Sequence, residues 1–173
     1  MTNALWHSMV TDGNALSLGG LCWPRPYFPT RSERAALIAS HIPGWATARS
    51  HTAGWGWTGM GSPTPLSVLR PPSPALSPLD RERWKARELR PRHHVVAHVG
   101  GVALLDPVST EEDVVCHATD VDAAAAQIIV LRTLEPRRVV REPLRMSSEQ
   151  RERAKKIATR VRELQSCYPD ITR

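Results

Sequence analysis

The stretch that most constrains the fold of this chain runs from Val95 to Leu105. Two aliphatic runs, Val95-Val-Ala-His-Val99 and Val102-Ala-Leu-Leu105, are separated only by Gly100-Gly101. A two-residue turn that keeps the twist of its flanking strands needs positive φ at its central residues, which glycine adopts without steric cost, so the pattern encodes a β-hairpin. Asp106-Pro107 then breaks the strand, and Ser109-Thr-Glu-Glu112 has the spacing of a capping box, predicting a helix over 109–118. Asp120 is placed to cap a helix over 120–134, VDAAAAQIIVLRTL. Ser147-Ser-Glu-Gln150 caps a last helix over 147–166, with Ala154, Ile157, Ala158, Val161 and Leu164 on one face and Arg/Lys on the other.

Upstream of the hairpin, Thr30-Arg-Ser-Glu33 is a capping box for a helix over 31–40, whose Ala35, Leu37, Ile38 and Ala39 face inward and which Pro43-Gly44 stops. A short helix over 46–57 follows, and its Gly54 and Gly56 imply close packing against a neighbour. Leu66 to Arg70 alternates like a half-buried strand, Pro71 to Pro78 reads as a Pro/Ser loop, and Lys85 to Leu89 suits a short edge strand. The expected fold is therefore α/β (α+β), a small and mainly antiparallel sheet from about 66 to 105, with flanking helices and a C-terminal basic amphipathic helix. The expected organisation is an irregular, Pro-rich leader over 1–29, an α/β domain over 30–145 and the basic helix over 146–173.

Aromatic residues are 5% of the chain, so the core has to be built from Val, Leu, Ile and Ala. The Ala- and Arg-rich composition is that of a GC-rich genome. Cys22, Cys116 and Cys167 are far apart and without C-x-x-C spacing, which encodes neither a disulfide framework nor a zinc knuckle and points to a reducing cytoplasm. A basic leader followed by an apolar stretch is absent, as is a run of apolar residues long enough for a membrane span, so no membrane association is expected. The formal charge of +6 is concentrated late in the chain: from Arg132 to Arg162, eleven Lys/Arg stand against four Glu. That excess fits either a solvated helical face or phosphate contacts, for which Arg132, Arg137, Arg138, Arg141, Arg151, Lys155 and Lys156 are the candidates.

Chemistry-bearing constellations are sparse. His93, His94, His98, Cys116 and His117 form the densest histidine set, but His94 and His98 lie about 13 Å apart along a strand, too far to share one zinc. His51, Asp113 and Cys116 compose a Cys-His-Asp triad only on paper. Phosphate-binding glycine loops, the G-x-S-x-G elbow and H-E-x-x-H do not occur, and no catalytic residue, metal or cofactor is expected. The helix pair over 109–134 opens its second helix with Asp120-Val-Asp122, acids that a DNA-reading helix would replace by Arg, Asn or Gln, so it is read as core. Trp55 and Trp57 are read as core or interface anchors.

Two segments carry a family resemblance. Ala48-Arg-Ser-His-Thr-Ala-Gly-Trp-Gly-Trp-Thr-Gly-Met60 resembles the S-H-x-(S/T)-A-A-W-x-x-G-L signature of AbiEi-type antitoxins through Ser50, His51, Thr52, Ala53, Trp55, Gly59 and Met60. Gly101 to Val115 resembles the same family's G-(V/L)-x-V-T-(S/T)-P-x-R-T-x-x-D-L segment through Gly101, Val102, Pro107, Thr110 and Asp113, with Ser109 where the family has Arg. The likeness is to members of actinobacterial type and spans residues 45–140. It implies the effector half of an antitoxin of the type IV AbiE system: a non-enzymatic protein that counteracts a nucleotidyltransferase toxin functionally, with or without touching it. The family's winged-helix and nuclease-like extensions have no counterpart here, so operator binding and nuclease activity are not carried over. The alternatives are a small basic nucleic-acid-binding regulator and a truncated family member without activity.

Overall fold

The structure, a computed structural model, describes residues 11, 15–18, 21–24, 29–71, 76–88, 94–135 and 146–167. Helix α1 (Arg31–Ala39) starts at the expected capping box: Thr30 accepts from the Glu33 N–H, and Glu33 returns a bond to the Thr30 N–H at 2.7 Å. It buries Ala35 and Ile38, while Leu37 and Ala39 sit half-buried at the rim of the same core.

The chain then enters strand β3 (Thr47–Ala48), turns through Arg49 and runs into helix α2 (Ser50–Thr58). Thr47 and Ala48, expected inside the helix, form instead the middle strand of a five-stranded sheet. The other strands are β4 (Val68–Arg70), β5 (Arg87–Glu88), β6 (Val96–Val99) and β7 (Val102–Leu105), and a short helix α3 (Pro78–Arg83) precedes β5. β3 pairs antiparallel with β4 but parallel with β7, and β4 pairs parallel with β5. The sheet is therefore mixed rather than mainly antiparallel. The reason is β3: as a strand it must be continued on both edges, and the β6-β7 hairpin reaches it with β7 running in the same direction.

The Gly100-Gly101 hairpin forms as read, in the register Val99↔Val102, with both glycines at positive φ. Within the region expected to be irregular, β1 (Ala15–Leu18) and β2 (Leu21–Pro24) pair antiparallel, with Leu16 opposite Trp23 and Leu18 opposite Leu21. The sequence between them is again Gly-Gly.

Helix α4 (Pro107–His117) begins two residues earlier than the Ser109 box predicts. Asp106 is the cap, accepting from the Ser109 N–H at 2.8 Å, with Pro107 at the first helical position where its missing N–H costs nothing. Helix α5 (Val121–Leu134) is capped by Asp120, and Ser147 and Gln150 exchange hydrogen bonds at the start of helix α6 (Ser148–Cys167). Two buried clusters result. One joins α1, α2 and the sheet around Ile38, Leu69, Leu104 and Leu105. The other joins α4, α5 and α6 around Val114, Ile128, Ile157 and Val161, so α6 shares a core with the preceding helices. No described helix is long and apolar enough to cross a membrane.

Candidate functional site

β3 and β7 are parallel neighbours, and each passes directly into a helix, β3 into α2 and β7 into α4. Both helices therefore start at the same end of the sheet, the end where α/β folds place their ligands. Arg49 and Asp113 close on each other there. The Arg49 guanidinium donates through Nε at 2.8 Å and Nη2 at 2.5 Å to the two Asp113 carboxylate oxygens, with both side chains buried. Such a bidentate pair compensates two charges that could not be buried singly. The Leu105 carbonyl adds a second link by accepting from Trp57 Nε1 at 2.7 Å and Thr110 Oγ1 at 2.9 Å.

Beside this pair lies a cleft of about 350 Å³. Arg49, Ser50 and His51 at the start of α2 form one wall, and Ser62, Thr64, Pro65 and Ser67 a second. Lys85 and Arg87 form a third, and the turn from His117 to Asp120 with Ala123, Ala124 and Gln127 closes it. Thr52 holds the second wall to α2: its hydroxyl donates to the Pro63 carbonyl at 2.8 Å and accepts from the Ser67 N–H at 3.0 Å. His51 Nε2 donates to the Pro65 carbonyl at 2.6 Å. The Gln127 amide donates to the carbonyls of Met60 and His51, and Gly54 leaves room for it, since a Cβ there would stand 2.3 Å from Gln127 Oε1.

The first turn of α2 is strained and unfinished. Ser50 has φ of 48°, a left-handed conformation that costs a non-glycine residue about 1 kcal/mol. Its residue is 3% exposed, and its hydroxyl oxygen has no hydrogen-bond partner. Arg49, at the cap position, supplies no side-chain cap. Among the described residues, no acceptor faces the N–H groups of Ser50, His51 and Thr52.

The titratable groups are held in unusual states. Burial lowers the His117 pKa to about 4, so near neutral pH the imidazole is uncharged and its Nε2 accepts from Arg87 Nη1 at 3.1 Å. The 3.8 Å approach of His117 to Asp113 is then a contact of a neutral ring, not an ion pair. Burial likewise lowers His51, and burial followed by the nearby Arg49 lowers Arg87. Burial, then the Asp113 and Glu112 charges, pushes the Cys116 thiol up, away from the thiolate a nucleophile needs. Asp113 itself is engaged by Arg49, so His51, Asp113 and Cys116 are neighbours without being arranged as a triad.

No protein-family model, curated protein or solved structure matches the chain. Function is therefore read from the residues themselves.

Of the twelve residues that carry the resemblance, Ser50 and His51 line the cleft, Thr52, Ala53, Trp55 and Val102 are buried, and Met60 is exposed. Gly59 ends α2 at φ of 73°, Gly101 turns the hairpin and Pro107 starts α4. Asp113 accepts from Arg49 of the first segment, while Thr110 donates to Leu105 within its own. The candidates for phosphate contact are scattered and engaged: Arg132 donates to Glu111 at 2.8 Å, Lys155 to Glu152 at 2.7 Å, and Arg151 to the Met146 carbonyl at 3.3 Å. Lys156 is exposed and has no hydrogen-bonded partner among the described residues. Arg137, Arg138 and Arg141 lie outside the described residues, as does His93. Among the described residues no three His, Cys, Asp or Glu stand together as a metal site. Arg49, Lys85, Arg87 and Gln127 carry no sequence signal of their own, and only Arg49 could have been found, by its place directly before the Ser50-His51 pair.

Proposed function

We propose that the chain acts by recognition rather than covalent chemistry, as an antitoxin-like, non-enzymatic protein of the AbiE type that counteracts a nucleotidyltransferase toxin. One observation carries this reading: the two segments that carry the resemblance, about forty residues apart in the sequence, close on each other through the buried Arg49 and Asp113 pair, beside a cleft whose wall is Arg49, Ser50 and His51 of the first segment. The second segment supports that wall from behind, since Asp113 holds the Arg49 side chain directly before Ser50 and His51. Around the cleft, Asp113 is ion-paired, the Cys116 thiol is pushed up and His117 is lowered, a state suited to binding more than to acid-base or nucleophilic work. The test is co-expression with the cognate nucleotidyltransferase toxin. Restored growth by the wild-type chain is expected, and continued arrest by folded, expressed protein would overturn the reading.

The regulator alternative draws on the exposed basic side chains of α6. Its support is thinner, because Arg153, Lys155 and Arg160 are each paired with acids of the same or a neighbouring helix. Surface pairs of this kind contribute little to stability but do lower the charge available to a polyanion.

A further inference from the structure

Apart from any toxin, the cleft has the chemistry of a specific ligand site. We infer that it binds the phosphate group of a small phosphomonoester, seated on the first turn of α2. The N–H groups of Ser50, His51 and Thr52 have no acceptor among the described residues, at the end of a nine-residue helix whose dipole favours an anion. Ser50 supplies an independent sign: its hydroxyl is buried in that wall without a partner, a cost that a ligand oxygen would relieve. The left-handed backbone at Ser50 holds this arrangement in place, and strain of that kind gathers at ligand clamps.

Charge points the same way. Arg49 is neutralised by Asp113, but among the described residues Lys85 is exposed without a carboxylate partner, and Arg87 is bonded only to the neutral His117. Two uncompensated cations thus face one acid, Asp120, whose carboxylate is already accepting from the Ala123 N–H at 3.0 Å. Three N–H groups, a hydroxyl, a guanidinium and an ammonium offer more donors than a two-oxygen carboxylate can use. They suit the three terminal oxygens of a monoester. A volume of about 350 Å³ is small for a ligand site, yet leaves space beyond the phosphate, against Pro65, Ala123 and Ala124, for an organic remainder.

The experiment is calorimetric titration of the full chain, backed by amide NMR, with inorganic phosphate, glycerol 3-phosphate, glycerol, and a single-stranded oligonucleotide with and without a 5′-phosphate. Saturable binding of phosphate and glycerol 3-phosphate but not glycerol is expected, with the Ser50, His51 and Thr52 amide signals moving. The double variant Lys85→Ala with Arg87→Ala, both exposed positions, should weaken this binding by about tenfold or more with an unchanged thermal melt. Arg151→Ala with Lys156→Ala on α6 should leave it as it is. No saturation by about 10 mM phosphate or glycerol 3-phosphate would overturn the inference. So would equal affinity in the Lys85 and Arg87 variant, or binding confined to the oligonucleotide regardless of its 5′-phosphate.

Discussion

Ser50 shows how a single residue can be set against its own stability. Its φ of 48° and its partnerless hydroxyl each raise the energy of the free protein, by about 1 kcal/mol apiece. Ser50→Gly removes both at the expense of about 0.5–1 kcal/mol of chain entropy. Urea denaturation should therefore find the variant more stable by ~1 kcal/mol, and a destabilised variant would show that the left-handed serine is not strained. Gly54 is the converse case. Its hydrogen is all that separates α2 from the Gln127 amide, so Gly54→Ala must push that amide off the Met60 and His51 carbonyls. A loss of ~2 kcal/mol or more is expected in the same measurement, because the fully buried Gln127 side chain is displaced and two part-buried carbonyls lose their donor.

At the scale of elements, the Gly100-Gly101 turn separates two effects that sequence alone merges. Both residues have positive φ, but a Cβ on Gly100 would stand 2.6 Å from the Ser32 backbone oxygen of α1, whereas one on Gly101 meets nothing within 4 Å. Thermal melts should show Gly101→Ala losing ~1 kcal/mol, the backbone strain alone, and Gly100→Ala losing clearly more. Equal losses would mean that α1 does not pack on the turn. The hairpin, α1 and the starts of α5 and α6 were legible because turn glycines and capping side chains act locally. β3 was not, because Thr47 and Ala48 are too few to show a period and are strands only by virtue of β4 and β7 on either side. The start of α4 was misplaced for a related reason. Asp106 and Ser109 both fit a cap, and Pro107 at the first helical position decides between them.

Across the whole molecule, the half-buried imidazoles of His51 and His117 link stability to pH. His117 faces Asp113, Arg49, Arg87 and Arg153, and its folded pKa of about 4 lies below the unfolded 6.5, so the unfolded chain takes up the proton first. Stability is then full above about pH 6.5 and declines as the pH falls toward 4, with His51 adding a change of the same sign. Melting temperatures followed across that window should fall less in His117→Gln than in the wild type; parallel curves would assign the decline to other groups. The joint geometry of the two segments was not legible in the sequence. Nothing in the sequence couples Arg49 to Asp113, because an ion pair spanning 64 residues leaves no local trace.

That pair is also where the account is most exposed. Arg49→Met and Asp113→Leu should each destabilise by ~3–5 kcal/mol, since either leaves a buried charge alone. The double variant buries no charge and should recover part of the loss, giving a coupling of ~2–3 kcal/mol in a denaturation cycle. Losses that simply add would contradict the pairing, and with it the closure of the two segments on each other beside the cleft.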